Sequence, residues 1–187
     1  MNIEIIASSP RTESVTFRLA LFLQKYLNDH TEHSVNIIDV RDWALPLLQQ
    51  QVFNNTLEAP EALQPLAARM FASNAFIIVT PEYNGSYTAA LKNLFDHFPK
   101  QHHKAFGIVT ASPGALGGIR AALQLQSFIN ALFGIASPYM MVTPSIEKKF
   151  DADGNLIDAA FQRSIDTFIT EFLWLSESLV PALEIAE

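Results

Sequence analysis

Three short polar segments carry most of the residues that could bind a small molecule. Each follows an apolar run and is rich in Ser, Gly, Pro or Asn; they span 8–16, 81–86 and 112–120. The first combines hydroxyl groups, the guanidinium of Arg11 and the free amides of a helix start, the groups that bind a phosphate. It lacks the glycine-rich, lysine-containing pattern of nucleoside triphosphatases and the spaced glycines of a dinucleotide fold. It therefore predicts a monophosphate site, with a simple N-cap at Ser14 and a solvated arginine as the structural alternative.

The second segment, 81–86, directly follows an apolar run that ends at Thr80. Pro81 cannot donate a hydrogen bond to a neighbouring strand, and Gly85 accepts backbone angles that a side chain would disfavour. The ring of Tyr83 offers a flat apolar surface with a polar tip. The segment predicts one wall of a site for a planar ligand, and a capped turn with an exposed tyrosine is the alternative.

The third segment contains Gly114, Gly117 and Gly118 at the end of another apolar run. Glycines at this place would let backbone amides approach the edge of a planar ligand. Taken alone, the segment favours the simpler interpretation, a tight turn that leads into a helix.

Apolar runs and helical periodicity alternate along the chain. Strands are predicted at 2–7, 34–40, 75–80, 105–111 and around 139–142. Helices are predicted at 14–27, 60–71, from about 87 through 93, 118–132 and 159–179, with a small hairpin at 150–156. Five buried strands that alternate with helices predict an α/β fold, a doubly wound parallel sheet with helices on both faces.

Ligands of doubly wound sheets bind beyond the carboxyl ends of the strands, where the strand order reverses. With the order 2-1-3-4-5, strands 1, 3 and 4 are neighbours at that edge. The three polar segments follow these three strands, so we expect them to form one site.

The composition indicates one globular domain, 1–187, since 49% of the residues are hydrophobic and 17% are charged. The net charge of −7 disfavours a nucleic-acid partner. No apolar run reaches the roughly 18 residues of a membrane span, and a cytoplasmic protein is expected. The chain has no cysteine, so redox chemistry would need a bound cofactor. The irregular segment 42–58 is expected to be a surface loop, with a lid or an interface arm as alternatives.

These motifs resemble those of the NAD(P)H-dependent FMN reductase family, which has a flavodoxin-like fold and includes azoreductases and quinone reductases. The family pattern Gly-Ser-x-Arg-x-x-Ser-x-Asn is similar to 8–16, and Pro-Glu-Tyr-Asn-x-Ser matches 81–86. Leu-Lys-Asn-x-x-Asp matches 91–96, and Ser-x-Gly-x-x-Gly-Gly-x-Arg-Ala matches 112–121. The likeness spans nearly the whole chain and extends to the hairpin that begins at 150–154.

The resemblance implies that twelve residues bind FMN. The phosphate would be held by Ser9, Arg11, Ser14 and Thr16. The isoalloxazine ring would be lined by Pro81, Glu82, Tyr83, Asn84 and Ser86, with Ser112, Gly114 and Gly117 approaching it from the neighbouring segment. Lys92 and Asp96 would serve a subunit interface. The sequence shows no side chain that must act as a catalytic acid or base, and no metal ligand is expected.

The implied activity is hydride transfer from NAD(P)H, through bound FMN, to a small acceptor such as a flavin, a quinone or an azo compound. A homodimer or homotetramer is implied. A flavodoxin-like electron carrier and a non-catalytic flavin-binding protein are the alternatives. The chain departs from the family pattern where Ser8 replaces a glycine, Thr16 replaces an asparagine, and Tyr87-Thr88-Ala89 replaces an aliphatic residue followed by Pro-Gly. The last change is expected to reshape the substrate side of the site.

Overall fold

The computed structural model describes residues 1–49 and 52–185 of the chain. The strands are β1 (Asn2–Ala7), β2 (Ser34–Asp39), β3 (Ala75–Thr80), β4 (Ala105–Ser112), β5 (Ile135–Ala136) and β6 (Met141–Pro144). The α-helices are α1 (Phe17–His30), α2 (Gln64–Ala72), α3 (Ala89–Asp96), α4 (Ile119–Ala131) and α5 (Gln162–Ile185). Strands and helices alternate, as the apolar pattern predicts.

The strands form one parallel sheet in the order β2-β1-β3-β4-β5, which confirms the predicted topology. The prediction of one fifth strand around 139–142 is wrong in its extent. Two short strands occupy that position: β5 pairs with the start of β4, and β6 pairs with its end. The amide of Ser137 still donates to the carbonyl of Phe106 at 2.8 Å, and the next residue in a strand is Met141.

Apolar side chains cover both faces of the sheet. Because successive residues of a strand point to opposite faces, Ile5 and Ile77 pack with α1 and α5, whereas Ile6 and Phe76 pack with α2, α3 and α4. All six residues of β3 are buried. This is the burial expected of a central parallel strand with helices above and below it, and it confirms the predicted layers.

Two helices start at residues other than those predicted. Helix α1 begins at Phe17, three residues later than predicted. Helix α3 begins at Ala89, since the hydroxyl of Thr88 accepts a hydrogen bond from the amide of Leu91 and acts as the N-cap. The predicted hairpin is confirmed by an antiparallel bridge between Phe150 and Leu156.

The described part of segment 42–58 lies against α3. The side chain of Asn93 donates to the carbonyl of Pro46 at 2.9 Å and accepts from the amide of Leu48 at 3.2 Å. Further along, the amide of Phe53 donates to the carbonyl of His97 at 2.9 Å. These contacts attach the segment to the helix on both sides of residues 50 and 51, which lie outside the described chain. Within the described residues, no helix is long and apolar enough to cross a membrane.

Candidate functional site

The three polar segments meet at the carboxyl edge of the sheet, where the strand order reverses between β1 and β3. A cleft of about 190 Å³ lies between them. Eight of the twelve predicted residues line it: Ser9, Arg11, Ser14, Thr16, Pro81, Glu82, Tyr83 and Ser112. Four lining residues were not predicted, although each adjoins a predicted one in the sequence: Glu13, Val15, Ala111 and Pro113. The remaining predicted residues, Asn84, Ser86, Gly114 and Gly117, lie outside this lining.

Hydroxyl groups in the first segment lie close to one another. The Oγ of Ser14 and the Oγ1 of Thr16 are 2.8 Å apart and share a hydrogen bond. The Oγ of Ser9 accepts a weaker bond from the amide of Arg11 at 3.4 Å. With the amides at the start of α1 close by, these groups offer the donors that an anion needs.

Arg41 supports the first segment from the carboxyl end of β2. Its Nη1 donates to the carbonyl oxygen of Thr12 at 3.0 Å, and its guanidinium pairs with the carboxylate of Asp39. The hydrogen bond with Asp39 is the main reason that the pKa of Arg41 is raised. Sequence reasoning missed this pair, although both residues lie at the end of a strand that reaches the same edge of the sheet.

The second segment forms a tight hairpin. The amide of Tyr83 donates to the carbonyl of Ser86 at 2.9 Å, and the amide of Ser86 donates back at 3.1 Å. Between them, Asn84 and Gly85 have φ angles of 53° and 82°. Two consecutive positive φ angles define the type I′ turn for which Asn-Gly is the preferred pair. The turn places the exposed side chain of Asn84 at its tip and turns the flanking residues back toward the sheet.

Tyr83 and Arg11 connect the first and second segments. The guanidinium carbon of Arg11 lies 4.9 Å from the centre of the Tyr83 ring, a cation–π contact. The hydroxyl of Tyr83 is buried and has no hydrogen-bond partner among the described residues. A buried hydroxyl normally has such a partner, so this one is available to a ligand in the cleft.

Glu82 connects the second and third segments. Its carboxylate accepts hydrogen bonds from the backbone amide of Arg120 at 3.1 Å and from the Nε of the same residue at 2.7 Å. The three polar segments are therefore joined in series, the first to the second at Tyr83 and the second to the start of α4 at Glu82.

Two glycines of the third segment differ in how closely the protein packs around them. A Cβ at Gly117 would lie 2.7 Å from the nitrogen of Pro144, so this glycine lets the segment pack directly on β6. A Cβ at Gly114 would meet only the Oγ of Ser112, at 3.7 Å. Close packing against the protein, therefore, explains Gly117 but not Gly114.

Two of the residues that depart from the family pattern, Tyr87 and Thr88, lie directly before α3. The Oγ1 of Thr88 donates to the carbonyl of Ser8 at 2.7 Å, which joins α3 to the first segment. The ring of Tyr87 packs on Phe128 of α4, with ring centres 5.0 Å apart, and burial followed by the charge of Asp96 raises the pKa of its hydroxyl. Tyr87 thus packs between helices and does not contribute to the cleft lining.

The sequence comparison with known families gives a match over residues 1–145 to the model of NADPH-dependent FMN reductases.

The chain belongs to the NADPH-dependent FMN reductase family.

Individual relatives agree with this assignment. The reductase is similar to a Staphylococcus aureus protein named FMN-dependent NADPH-azoreductase, with 27% identity over 177 residues that cover 90% of this chain and 92% of the relative. Among solved structures it resembles FerB, a flavoenzyme NAD(P)H:(acceptor) oxidoreductase from Paracoccus denitrificans, with a TM-score of 0.73 and 22% identity over 95% of this chain and 98% of the other. A structure titled NADH:FMN oxidoreductase (EMOB) matches with a TM-score of 0.68 and 19% identity over 91% and 89% of the two chains. The protein is an FMN-dependent oxidoreductase that uses NAD(P)H, with a flavodoxin-like fold.

The residues of the cleft fit FMN. The hydroxyl groups and the Arg11 guanidinium in the lining suit the phosphate, and the Tyr83 ring with its unpartnered hydroxyl suits a flat heteroaromatic ring. The Oγ of Ser8, where the family pattern has glycine, is also buried without a hydrogen-bond partner in the described chain. We refer to the cleft from here on as the flavin cleft.

Proposed function

We propose that the reductase accepts hydride from NAD(P)H and passes it through FMN to a small organic acceptor in the flavin cleft. The observation that carries this proposal is the convergence of a phosphate-type segment and an aromatic hairpin on one cleft. The sequence offers no separate dinucleotide-binding motif, which favours one cleft that the donor and the acceptor occupy in turn.

The individual residue roles are part of the proposal. Bound FMN supplies the hydride chemistry, and the protein supplies binding and orientation. Phosphate binding falls to Ser9, Arg11, Ser14 and Thr16, and the ring is lined by Pro81, Glu82, Tyr83, Asn84 and Ser86, with Ser112, Gly114 and Gly117 on the third segment. Backbone amides at this edge of the sheet would stabilise the negative charge that grows on the ring during reduction.

Quinones, azo compounds and free flavins are the acceptor classes that we propose. Support comes from the azoreductase name of the Staphylococcus aureus relative, which aligns over 90% of this chain. All three classes are planar, conjugated and able to take two electrons, and a cleft with an aromatic wall favours such shapes.

We propose that the reductase forms a homodimer or homotetramer through the face of α3 and α4. Leu116, in the segment before α4, and Leu123, within α4, expose 64% and 51% of their surface. On α3, Lys92 and Asp96 form an exposed ion pair one helical turn apart. Sedimentation velocity separates monomer, dimer and tetramer, and a monomer at micromolar concentration would refute this part of the proposal.

We also propose that residues 1–187 work as one domain and that the enzyme acts in the cytoplasm. Two apolar layers that share one sheet support the first statement. The second rests on the supply of NAD(P)H, which is an intracellular reductant.

An anaerobic spectrum tests the activity directly. Purified protein is mixed with FMN, and its flavin absorption band is recorded before and after NADPH is added. We expect the band to bleach within seconds and to return when a quinone is added. Protein that binds FMN but does not oxidise NADPH would instead be an electron carrier, and protein that binds no FMN would be neither.

A further inference from the structure

We propose that Glu82 is a positioning residue that fixes the separation of two walls of the flavin cleft and tunes the reduction potential of FMN. The inference rests on the proposed function, because it concerns FMN in that cleft. Glu82 belongs to the hairpin wall, and the residue that it binds, Arg120, is the last residue of the third segment. We call this contact the Glu82 latch.

The start of α4 explains why a carboxylate is needed there. The N-cap of this helix is Gly118, which has a φ of 88° and no side chain to accept a hydrogen bond. The first amides of a helix have no partner within the helix. Glu82 supplies one from another segment, through its bond to the amide of Arg120 at 3.1 Å. The helix therefore takes its cap from the opposite wall of the cleft.

The two partners of the latch differ in burial. The side chain of Glu82 is 12% exposed, whereas that of Arg120 is 65% exposed. One of the two bonds reaches the backbone of Arg120, so it remains when the arginine side chain is removed. The carboxylate is thus the more important partner, and the guanidinium adds a second bond that solvent screens.

The latch acts on the ligand in two ways that can be separated. The length of the Glu82 side chain holds Pro81 and Tyr83 at a fixed distance from Ser112 and Pro113, which line the other side of the cleft. Its negative charge offsets the positive end of the α4 dipole. Without that charge, the electron density that FMN gains on reduction would be stabilised more strongly, and its potential would rise.

Three substitutions separate the effect of the length of the Glu82 side chain from the effect of its charge. Glu82→Asp keeps the charge but is one methylene too short to make both bonds. Glu82→Gln keeps the length but loses the charge, and its amide oxygen can accept only one of the two bonds well. Arg120→Ala keeps the backbone bond and removes the counter-charge. Glu32→Gln, an exposed position next to the start of β2 at the opposite edge of the sheet, changes the net charge equally and is the control.

Three measurements read out the effects. FMN affinity is measured by quenching of flavin fluorescence, and the potential of bound FMN by spectroelectrochemical titration. Hydrogen–deuterium exchange of the peptide that covers 112–122 is measured on protein without FMN, so it reports the latch independently of the cofactor. Circular dichroism verifies that each variant is folded.

The expected results differ for each variant. Glu82→Asp should weaken FMN binding about ten-fold and speed the exchange of 112–122, with the potential unchanged. Glu82→Gln should weaken binding about three-fold and favour reduced FMN about ten-fold, which is about +30 mV for a two-electron couple. Arg120→Ala should weaken binding by less than about three-fold and move the potential in the negative direction.

Three results would overturn the inference. The first is exchange and FMN affinity that both stay at the wild-type level in Glu82→Asp, and the second is a potential in Glu82→Gln equal to that of Glu32→Gln. Faster exchange in Glu82→Asp without any change in FMN affinity would show a purely structural cap and would also overturn it. If the wild-type protein fails to bind FMN, the proposed function is refuted, and the exchange data still decide whether the latch joins the two walls.

Discussion

Replacing Thr88 by valine should destabilise the protein and loosen the phosphate end of the flavin cleft. The Oγ1 of Thr88 makes two hydrogen bonds at once: it accepts from the amide of Leu91 at 3.1 Å and donates to the carbonyl of Ser8 at 2.7 Å. The residue is 1% exposed, so water cannot replace either partner. Valine has nearly the same shape, and its effect therefore isolates the hydroxyl.

The magnitude follows from the two bonds. Loss of an N-cap costs about 1 kcal/mol, and loss of a buried hydrogen bond that leaves the carbonyl of Ser8 unpaired costs about 1 kcal/mol more. The free energy of unfolding should fall by about 2 kcal/mol. For a chain of this length, that lowers the melting temperature by about 4 to 8 °C.

Urea unfolding followed by circular dichroism, on protein without FMN, measures this change. Thr88→Ser is the matched control, since it keeps both hydrogen bonds and loses one methyl group, worth about 1 kcal/mol. FMN affinity should fall only in the valine variant, because the carbonyl of Ser8 is then free to move. A valine variant as stable as wild type, beside a serine variant that loses about 1 kcal/mol, would mean that the methyl group matters and that the two bonds do not.

Three further predictions concern charge, packing and phosphate binding. Burial lowers the pKa of Lys104 to about 8 from 10.5, so between these pH values the unfolded chain binds more protons there and the free energy of unfolding rises with pH. Lys104→Met should therefore be more stable than wild type near pH 7 by up to about 3 kcal/mol, and urea titrations should show this gain vanish by about pH 10.5. Gly117→Ala should lower the free energy of unfolding by about 2 kcal/mol or more, because the φ of Gly117 is 60° and an added Cβ would lie 2.7 Å from the nitrogen of Pro144. Gly114→Ala should change the free energy of unfolding by no more than about 0.5 kcal/mol, as measured by thermal unfolding. Arg11→Met should weaken FMN binding about ten-fold, and Arg11→Lys less, in fluorescence titrations. Equal losses would show that a positive charge without the guanidinium geometry is not enough.

The sheet was predictable because its strands are buried on both faces. A run such as 75–80 is apolar at nearly every position, and polar segments mark where it ends. At the fifth position of the sheet, the predicted strand around 139–142 overlaps β6, whereas the two-residue strand β5 was missed because it is too short to form an apolar run. Pairing with β4 defines them, and that pairing is a contact between residues far apart in the sequence.

The cleft was predictable to the level of segments and less so to the level of roles. The first and second segments line it as expected from the topology. The role of Glu82 in joining two walls, the support of the first segment by Arg41, and the packing of Tyr87 on α4 were missed. Each of these contacts joins residues that are far apart in the sequence, and no local sequence pattern predicts such a contact.

The sequence by itself determined the alternation of strands and helices, the three segments at the reversal of strand order, and the family. Apolar periodicity and turn residues act over a few positions, so they can be recognised without the fold. Only the tertiary structure decided how the segments are joined to one another, through Arg11 with Tyr83 and Glu82 with Arg120. These contacts connect residues that are 38 or more positions apart, and they form only after the parallel sheet has brought its carboxyl ends to one edge.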